Sequence, residues 1–394
     1  MDANLKIGIV GGSIGGLSAA LWLRDAGFDV TVFERSPVPL EQRGAGIGFL
    51  DETSKFLGER AGVDLDTISV KTELVHFLHR DDTVKYEKKQ PYRFTSWNTV
   101  YQESLKAFGP ERYMLGKEMI GFSQTDSDAS VQFSDGTTES FDLVVMADGV
   151  HSQARKELLP DVVVHYAGYV GWRGLTAATD VSEATFDKII DKLTYYTLAN
   201  SHIIVYPIPG HSGSVKPKDR LLNFVWYRNY LEGDDFDDVM TDATGIRRPV
   251  SIQPGQVRQV HVDELHASSK ARLPALISEV VCAAKEPFIQ ALVDCEIPKM
   301  AFGRICLLGD SAWVARSHAA AGTAKAADES YFLAQALLEA DSVPEALANW
   351  EPGRLKLGRD LVDRNVRVGR RSQVDGNHSP FDPEVTFSLY PPKP

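Results

Sequence analysis

From Leu5 to Val10 the chain is almost continuously apolar, as a parallel strand buried on both faces requires. Leu17, Ala20, Leu21 and Arg24 then recur at helical spacing, and Gly27 ends that helix before a second apolar run from Val30 to Phe33. Leu143 to Met146 and Ile305 to Leu308 repeat the buried-strand signature much later in the chain. Elsewhere the pattern alternates, with His202 to Tyr206 and Arg220 to Tyr227 reading as strands on either side of a polar loop that contains Gly213 and Pro217. The two patterns interleave. Residues 1–70, 97–164 and 292–352 are expected to build one domain around a mostly parallel sheet, and 71–96 with 165–291 an antiparallel sheet with helices on its far side. Residues 353–394 are left as a C-terminal helix and tail, and the fold class is mixed α/β (α+β).

The junction after the first strand carries chemistry. In Gly11-Gly12-Ser13-Ile14-Gly15-Gly16, Gly11 permits a tight turn and Gly16 lets the helix lie close to the strand. The free N–H groups at the helix start then face a pyrophosphate with the positive end of the helix dipole behind them. Glu34, 23 residues beyond Gly11, is placed to accept hydrogen bonds from the ribose hydroxyls of an adenosine. The second glycine of the G-x-G-x-x-G pattern is replaced by Ser13, whose side chain is small enough not to block a phosphate. A Rossmann-like nucleotide site follows from the whole unit; the glycine cluster alone would equally be an ordinary turn.

Two later strand ends narrow the choice of nucleotide. Asp142 to Gly149 ends in Asp148-Gly149 and leads into a helix start bearing Ser152 and Arg155. Gly303 to Ser311 ends in Gly309-Asp310 and is followed by the small-residue run Ala319 to Ala327. Either motif alone reads as a strand-to-loop junction with a capping Asp. In this order and separation they resemble the aromatic-ring flavoprotein monooxygenases, the family of para-hydroxybenzoate and salicylate hydroxylases. Arg93-Phe94-Thr95-Ser96, Trp172-Arg173-Gly174, Tyr206 to Gly210 and His318 to Gly322 are similar in particular to its pyridine-hydroxylating branch, and the likeness extends to about residue 370.

The resemblance implies a non-covalent FAD. Gly11, Gly12, Ser13, Gly16, Glu34 and Arg35 would hold its ADP portion, Asp148 the region shared with an incoming nicotinamide, and Asp310 a ribityl hydroxyl. Gly46 and Ile47 would lie against the isoalloxazine, while Gly322-Thr323-Ala324 would open a helix toward the pyrimidine edge and stabilise the anionic reduced flavin. Two positions depart from the family: Asn98 stands where Arg or Gln is usual, and Ser317 replaces a proline. The implied reaction consumes NADH or NADPH and dioxygen, and passes one oxygen atom through a flavin C4a-hydroperoxide to an electron-rich ring. Water must be kept from that site, so the substrate domain is expected to offer an apolar lining with a few orienting polar groups.

Candidates for those groups are Tyr206 and His318, as catalytic and substrate-binding residues, with Tyr195 and Asn223 beside them. His202, Ile204 and Tyr206 alternate onto one strand face, and His318 precedes the flavin-proximal loop. The plainer reading is that a strand tyrosine is core and a loop histidine a satisfied hydrogen-bonding group. Trp226 and Phe224 read as core, Asp234 to Asp238 as a solvated turn and helix start, and Arg359, Arg364, Arg367, Arg370 and Arg371 as a charged helix exterior or a subunit contact in a homodimer.

Composition changes the picture mainly by exclusion. The 394 residues suit two connected domains, and the net charge of -12 disfavours nucleic acid or an anionic membrane as a partner. Neither a membrane span nor a secretory signal is apparent, so a cytoplasmic location is expected. Cys282, Cys295 and Cys306 lack metal-ligand spacing, His76 with His79 and His261 with His266 lack a third ligand, and no metal is expected. Beside the monooxygenase stand two other functions: a flavin oxidase or dehydrogenase without oxygen insertion, and a flavin-free binding protein on the same fold.

Overall fold

The computed structural model describes residues 5–41 and 44–391. The separated apolar runs become neighbours in a six-stranded sheet, in the order Ala301–Phe302, Ile305–Leu307, Leu143–Met146, Lys6–Val10, Asp29–Glu34, Tyr113–Leu115. Only the first pair is antiparallel. Ile7, Ile9, Val144, Val145, Cys306 and Leu307 are buried, because a parallel sheet is covered on both faces. Helices Ile14–Asp25 and Gly322–Glu339 pack together against it. Phe133 and Phe141, from a small sheet of Met119–Gln124, Ala129–Phe133 and Thr138–Phe141, pack against Phe33 at ring separations of 4.6 and 5.7 Å, the first tilted and the second edge-on.

The second sheet has nine strands, in the order Ser251–Ile252, Phe288–Asp294, His165–Ala177, Leu221–Asn229, Ser201–Ile208, Lys192–Leu198, Val70–Leu78, Val84–Ser96, Gly46–Gly48. All its pairs are antiparallel except Val70–Leu78 with Lys192–Leu198. Alternation along the central strands sorts the side chains. Trp172, Phe224 and Trp226 form a core with Leu265, Ile277 and Val281 of helices Gln259–Arg272 and Ala275–Ala283. Ile204, Tyr206, Val225 and Tyr227 belong to a separate cluster on the opposite face.

The expected segment boundaries shift where elements cross them. Gly46–Gly48 lies within the first segment yet pairs as an edge strand of the large sheet, against Phe94 to Ser96. Phe288–Asp294 runs through the expected break at 291/292, and helix Val343–Gln373 through that at 352/353. That helix accommodates Pro352 because its apolar face, with Leu347 and Trp350 before the ring and Leu357 and Leu361 after it, is buried on both sides. Nor are its arginines all on an exterior. Arg364 is buried, and Arg364, Arg367 and Arg371 together hold the segment after His378, which folds back over the protein with Phe387 and Leu389 buried. Among the described residues no helix is long and apolar enough to cross a membrane.

Candidate active site

The first strand, the Asp148 strand and the Gly11 turn meet at one point. Gly11 has φ +106°, and a Cβ there would sit 2.2 Å from the Ala147 carbonyl oxygen; at Gly16 one would sit 1.8 Å from that of Gly11. No side chain fits, which leaves backbone N–H groups lining the turn. Glu34, buried at the end of its strand, accepts from the Gly12 and Ser36 amides, both at 2.9 Å. Ser13 occupies the helix N-cap without making a capping bond. Asp148 Oδ2 accepts from the Gln153 and Ala154 amides at 2.7 and 3.2 Å, whereas its buried Oδ1 has no protein partner. Gly11, Ser13, Glu34, Arg35, Asp148 and Gln153 line a cavity of about 490 Å³.

A second cavity, of about 440 Å³, continues from Ser13 and Trp97 past Ala45 and Ile47 to Asp310, Gly322 and Thr323. Arg155 locks its floor. Buried beneath the Asp148 loop, its guanidinium donates to the carbonyls of Asp310 at 3.0 Å and Ser311 at 2.9 Å, so the second motif fixes the third. The Asp310 carboxyl opens into the cleft but is walled in by protein; burial raises its pKa, opposed by Lys325 and Arg155. Gly322 begins the helix whose N-terminus faces this cavity, with Ala324 buried behind it. Asn98 is the second residue of helix Trp97–Phe108, and the cavity wall there is formed by Trp97.

A third cavity, of about 240 Å³, shares Ile47, Arg173, Gln290, Asp310, Gly322 and Thr323 with the second. Its walls are mostly apolar, including Ile204, Val225, Leu292, Val314 and Phe387. Gly46 forms its corner. The Gly46 carbonyl accepts from Tyr206 Oη at 2.8 Å and Arg173 Nη2 at 3.0 Å, while its amide donates to Asn223 Oδ1 at 2.9 Å. A Cβ at Gly46 would sit 2.8 Å from the side chains of Tyr206 and Asn223, so glycine is what lets these two close on the strand. Arg173 also donates to Gln290 Oε1 at 2.8 Å. Tyr227 and Ser317 also line this cavity, with Tyr227 Oη and Ser317 Oγ 2.8 Å apart.

The structure brings Gly11, Ser13, Glu34, Arg35, Asp148, Ile47, Asp310, Gly322 and Thr323 onto one continuous cleft, and Tyr206 onto the wall of its inner end. It sets the other ring candidates further back. Asn223 is fully buried, engaged with Gly46, and off the cavity lining. Tyr195 stacks on Phe77 at 4.7 Å and lies against His378, two strands from Tyr227 and also off the lining. His318 is one layer behind Ser317 and Tyr227, its ring 4.8 Å from that of Tyr227 and its Nε2 2.7 Å from the Tyr169 hydroxyl. Burial, reinforced by Arg316, pushes its pKa down to about 3. Burial pushes Tyr206 up to about 12, so at neutral pH both are uncharged. Residues that the sequence reading passed over are Arg173, Gln290, Tyr227, Ser317 as a hydroxyl partner, and Phe387. Tyr227 is two residues past Val225 on the strand face that also presents Asn223, a periodicity that pointed to it. Nothing in the local sequence marked Phe387, which arrives from the far end of the chain.

The residues present fit FAD. An open backbone turn at a helix start suits a diphosphate, and the buried Asp148 oxygen without a protein partner and the Asp310 carboxyl in the cleft supply acceptors for hydroxyl groups of the cofactor. Residues 4–227 match the FAD binding domain family, and residues 166–294 the FAD binding domain-like family. The chain belongs to the FAD-dependent aromatic-ring monooxygenases. It is 38% identical to 2,6-dihydroxypyridine 3-monooxygenase of Paenarthrobacter nicotinovorans, over 98% of this chain and 96% of that protein. The structure of 2,6-dihydroxypyridine-3-hydroxylase from Arthrobacter nicotinovorans superimposes with a TM-score of 0.93 at 37% identity, covering 99% of this chain and 98% of that one. An FAD-dependent urate hydroxylase of Mycolicibacterium vanbaalenii is 27% identical over 98% of this chain and 92% of its own length.

Proposed function

We propose that this monooxygenase hydroxylates a single hydroxypyridine-type ring held in the cavity that Tyr206 and Tyr227 line, with NADH or NADPH as reductant. The observation that carries the reading is the continuity of the cleft from the Glu34 end to a mostly apolar cavity that Arg173, Tyr206 and Tyr227 also line. Bound FAD supplies hydride acceptance and the activation of dioxygen. The chain's own residues do the rest.

Ile204, Val225, Leu292, Val314 and Phe387 keep water from the inner cavity, which favours oxygen transfer over loss as peroxide. Tyr206 Oη, already donating to Gly46, retains lone pairs that accept from a ring hydroxyl or ring N–H. The Tyr227–Ser317 pair has one hydroxyl hydrogen between its oxygens and one left over to donate into the cavity. Arg173, at the corner shared by the second and third cavities, places its positive charge beside the ring and stabilises a substrate that has lost a hydroxyl proton, the form that is most electron-rich. His318 acts through the Tyr169 hydroxyl and the Tyr227 ring that it supports.

The test is NAD(P)H consumption and oxygen incorporation, followed by product mass, across hydroxypyridines, hydroxybenzoates and phenols. A hydroxypyridine that gains one labelled oxygen from dioxygen supports the reading. Stimulated NAD(P)H oxidation with unlabelled product from every ring would replace it with an oxidase.

A further inference from the structure

The segment after His378 is a strap along one wall of the inner cavity. Its three regions of attachment lie on different parts of the fold. On the large sheet, Thr386 Oγ1 accepts from Gln90 Nε2 at 2.7 Å and lies 3.0 Å from Tyr92 Oη, while the Phe387 amide donates to Tyr92 Oη at 3.2 Å. On the flavin-side loop, the Ser388 amide donates to the Ala319 carbonyl at 3.2 Å, and Tyr390 Oη donates to Asp328 of helix Gly322–Glu339 at 3.0 Å. On the long helix, the guanidinium of Arg364 donates to Ser388 Oγ and the Tyr390 carbonyl, both at 3.1 Å, and Arg367 and Arg371 each reach Glu384 at 2.6 Å. Between these anchors Phe387 turns inward. It is buried against Phe94 and Tyr92, at ring separations of 6.0 and 5.1 Å, and lines the inner cavity.

We propose that Phe387 is a specificity-determining residue: the strap delivers its ring as the removable wall of the substrate cavity and so restricts the site to single-ring substrates. The proposal rests on the reading of that cavity as the ring site. Its physical basis is that Phe387, unlike Ile204, Val225 and Leu292, is fixed by side-chain and terminal anchors instead of a strand ladder. Shortening it enlarges the cavity without breaking a sheet, and one or a few carbons at such a wall shift discrimination by about 10- to 200-fold.

The experiment uses the FAD-loaded full chain and follows the flavin absorbance change as a dihydroxypyridine or a dihydroxyquinoline is added. Phe387→Ala is expected to weaken the single ring and strengthen the double ring, moving the ratio of dissociation constants by about tenfold or more. Phe387→Leu, which keeps an apolar anchor, is expected to move it in the same direction by less. FAD content and the thermal midpoint establish that each variant is folded. An unchanged ratio in Phe387→Leu with FAD in place overturns the proposal, whatever the fate of the alanine variant. If neither ring perturbs the flavin of the parent protein, the reading of the cavity fails, and Phe387 with it.

Discussion

Lys325 and Glu329 form an ion pair of 3.1 Å, with side chains 1% and 0% exposed, and both partners bind the same residue. Lys325 Nζ donates to the Gly309 carbonyl at 2.9 Å, and Glu329 Oε2 accepts from the Gly309 amide at 2.7 Å. The peptide that presents Asp310 to the cleft is thus held from both ends by one turn of helix. Removing one partner leaves the other charged and buried, a loss of about 3–5 kcal/mol, whereas replacing both by apolar residues of similar volume is tolerated far better. Urea unfolding of Lys325→Met, Glu329→Leu and the double variant measures this. The double variant is expected to be more stable than either single one, and additive losses would show that the pair is not coupled.

Asp310→Ala is expected to weaken FAD retention far more than Asp234→Ala. Asp310 lines both inner cavities, while Asp234 is an exposed residue at the start of helix Asp234–Val239. Loss of one buried hydrogen bond to a polyol hydroxyl is on the order of 1–3 kcal/mol, or roughly 5- to 150-fold in affinity. Flavin remaining after dialysis gives the answer. Equal occupancy in the two variants would remove Asp310 from the cofactor site.

Tyr206→Phe, Tyr227→Phe and His318→Ala are expected to keep FAD but release more hydrogen peroxide per NAD(P)H consumed in the presence of substrate. Each ~1.4 kcal/mol added to the barrier for oxygen transfer slows that branch tenfold, and one orienting hydrogen bond is of that size. The tyrosine variants change a cavity wall directly. His318→Ala acts one layer back, so its increase is expected to be the smallest of the three. Unchanged peroxide yields throughout would assign orientation to Arg173 and Gln290 instead.

His318 also gives stability a pH dependence of known sign. Its folded pKa is about 3, and an unfolded histidine titrates near 6.5. Between those values the unfolded chain binds a proton that the folded chain does not, so stability falls as pH is lowered through the window and is unaffected above it. His318 alone contributes about 1.4 kcal/mol per pH unit there. His202 and His76, both buried and shifted down, steepen the same decline. Unfolding free energies measured across the window in the parent and His318→Asn are expected to differ in slope by about one proton. Equal slopes would mean that the imidazole is already protonated in the folded protein.

The end of the cleft around Gly11 and Asp148 was legible in the sequence because its geometry is local. Gly11, Ser13 and Gly16 act through backbone geometry within one turn, and Glu34, Asp148 and Asp310 sit at the ends of apolar strands that announce themselves. The ring end was only partly legible. Tyr206 could be placed on a face by alternation, but alternation does not say whether a side chain ends in a cavity or on another strand. Asn223 proved to be occupied by Gly46, and Tyr195 to be covered by Phe77. The basic run in the last helix misled for a related reason: charge spacing describes a face, and only the returning tail, with Glu384 and the Ser388 carbonyl, makes that face an interior contact. Phe387 is legible nowhere near its own position, since its neighbours Phe94 and Tyr92 lie almost 300 residues earlier.

The strand order of the parallel sheet also imposes a timetable on biosynthesis. Lys6–Val10 leaves the ribosome first, but its neighbour Leu143–Met146 follows only after several strands of the other sheet, and Ile305–Leu307 later still. At about 5–20 residues per second the apolar edge of Leu143–Met146 waits many seconds for its partner, long enough to need shielding from other nascent chains. The Gly11 turn and Glu34 are complete early, yet Asp310 and Gly322 reach the cleft near the end of synthesis. The cleft is therefore completed only near the end of synthesis, and a chain truncated before Asp310 has the Gly11 turn and Glu34 without the residues that line the inner cavities.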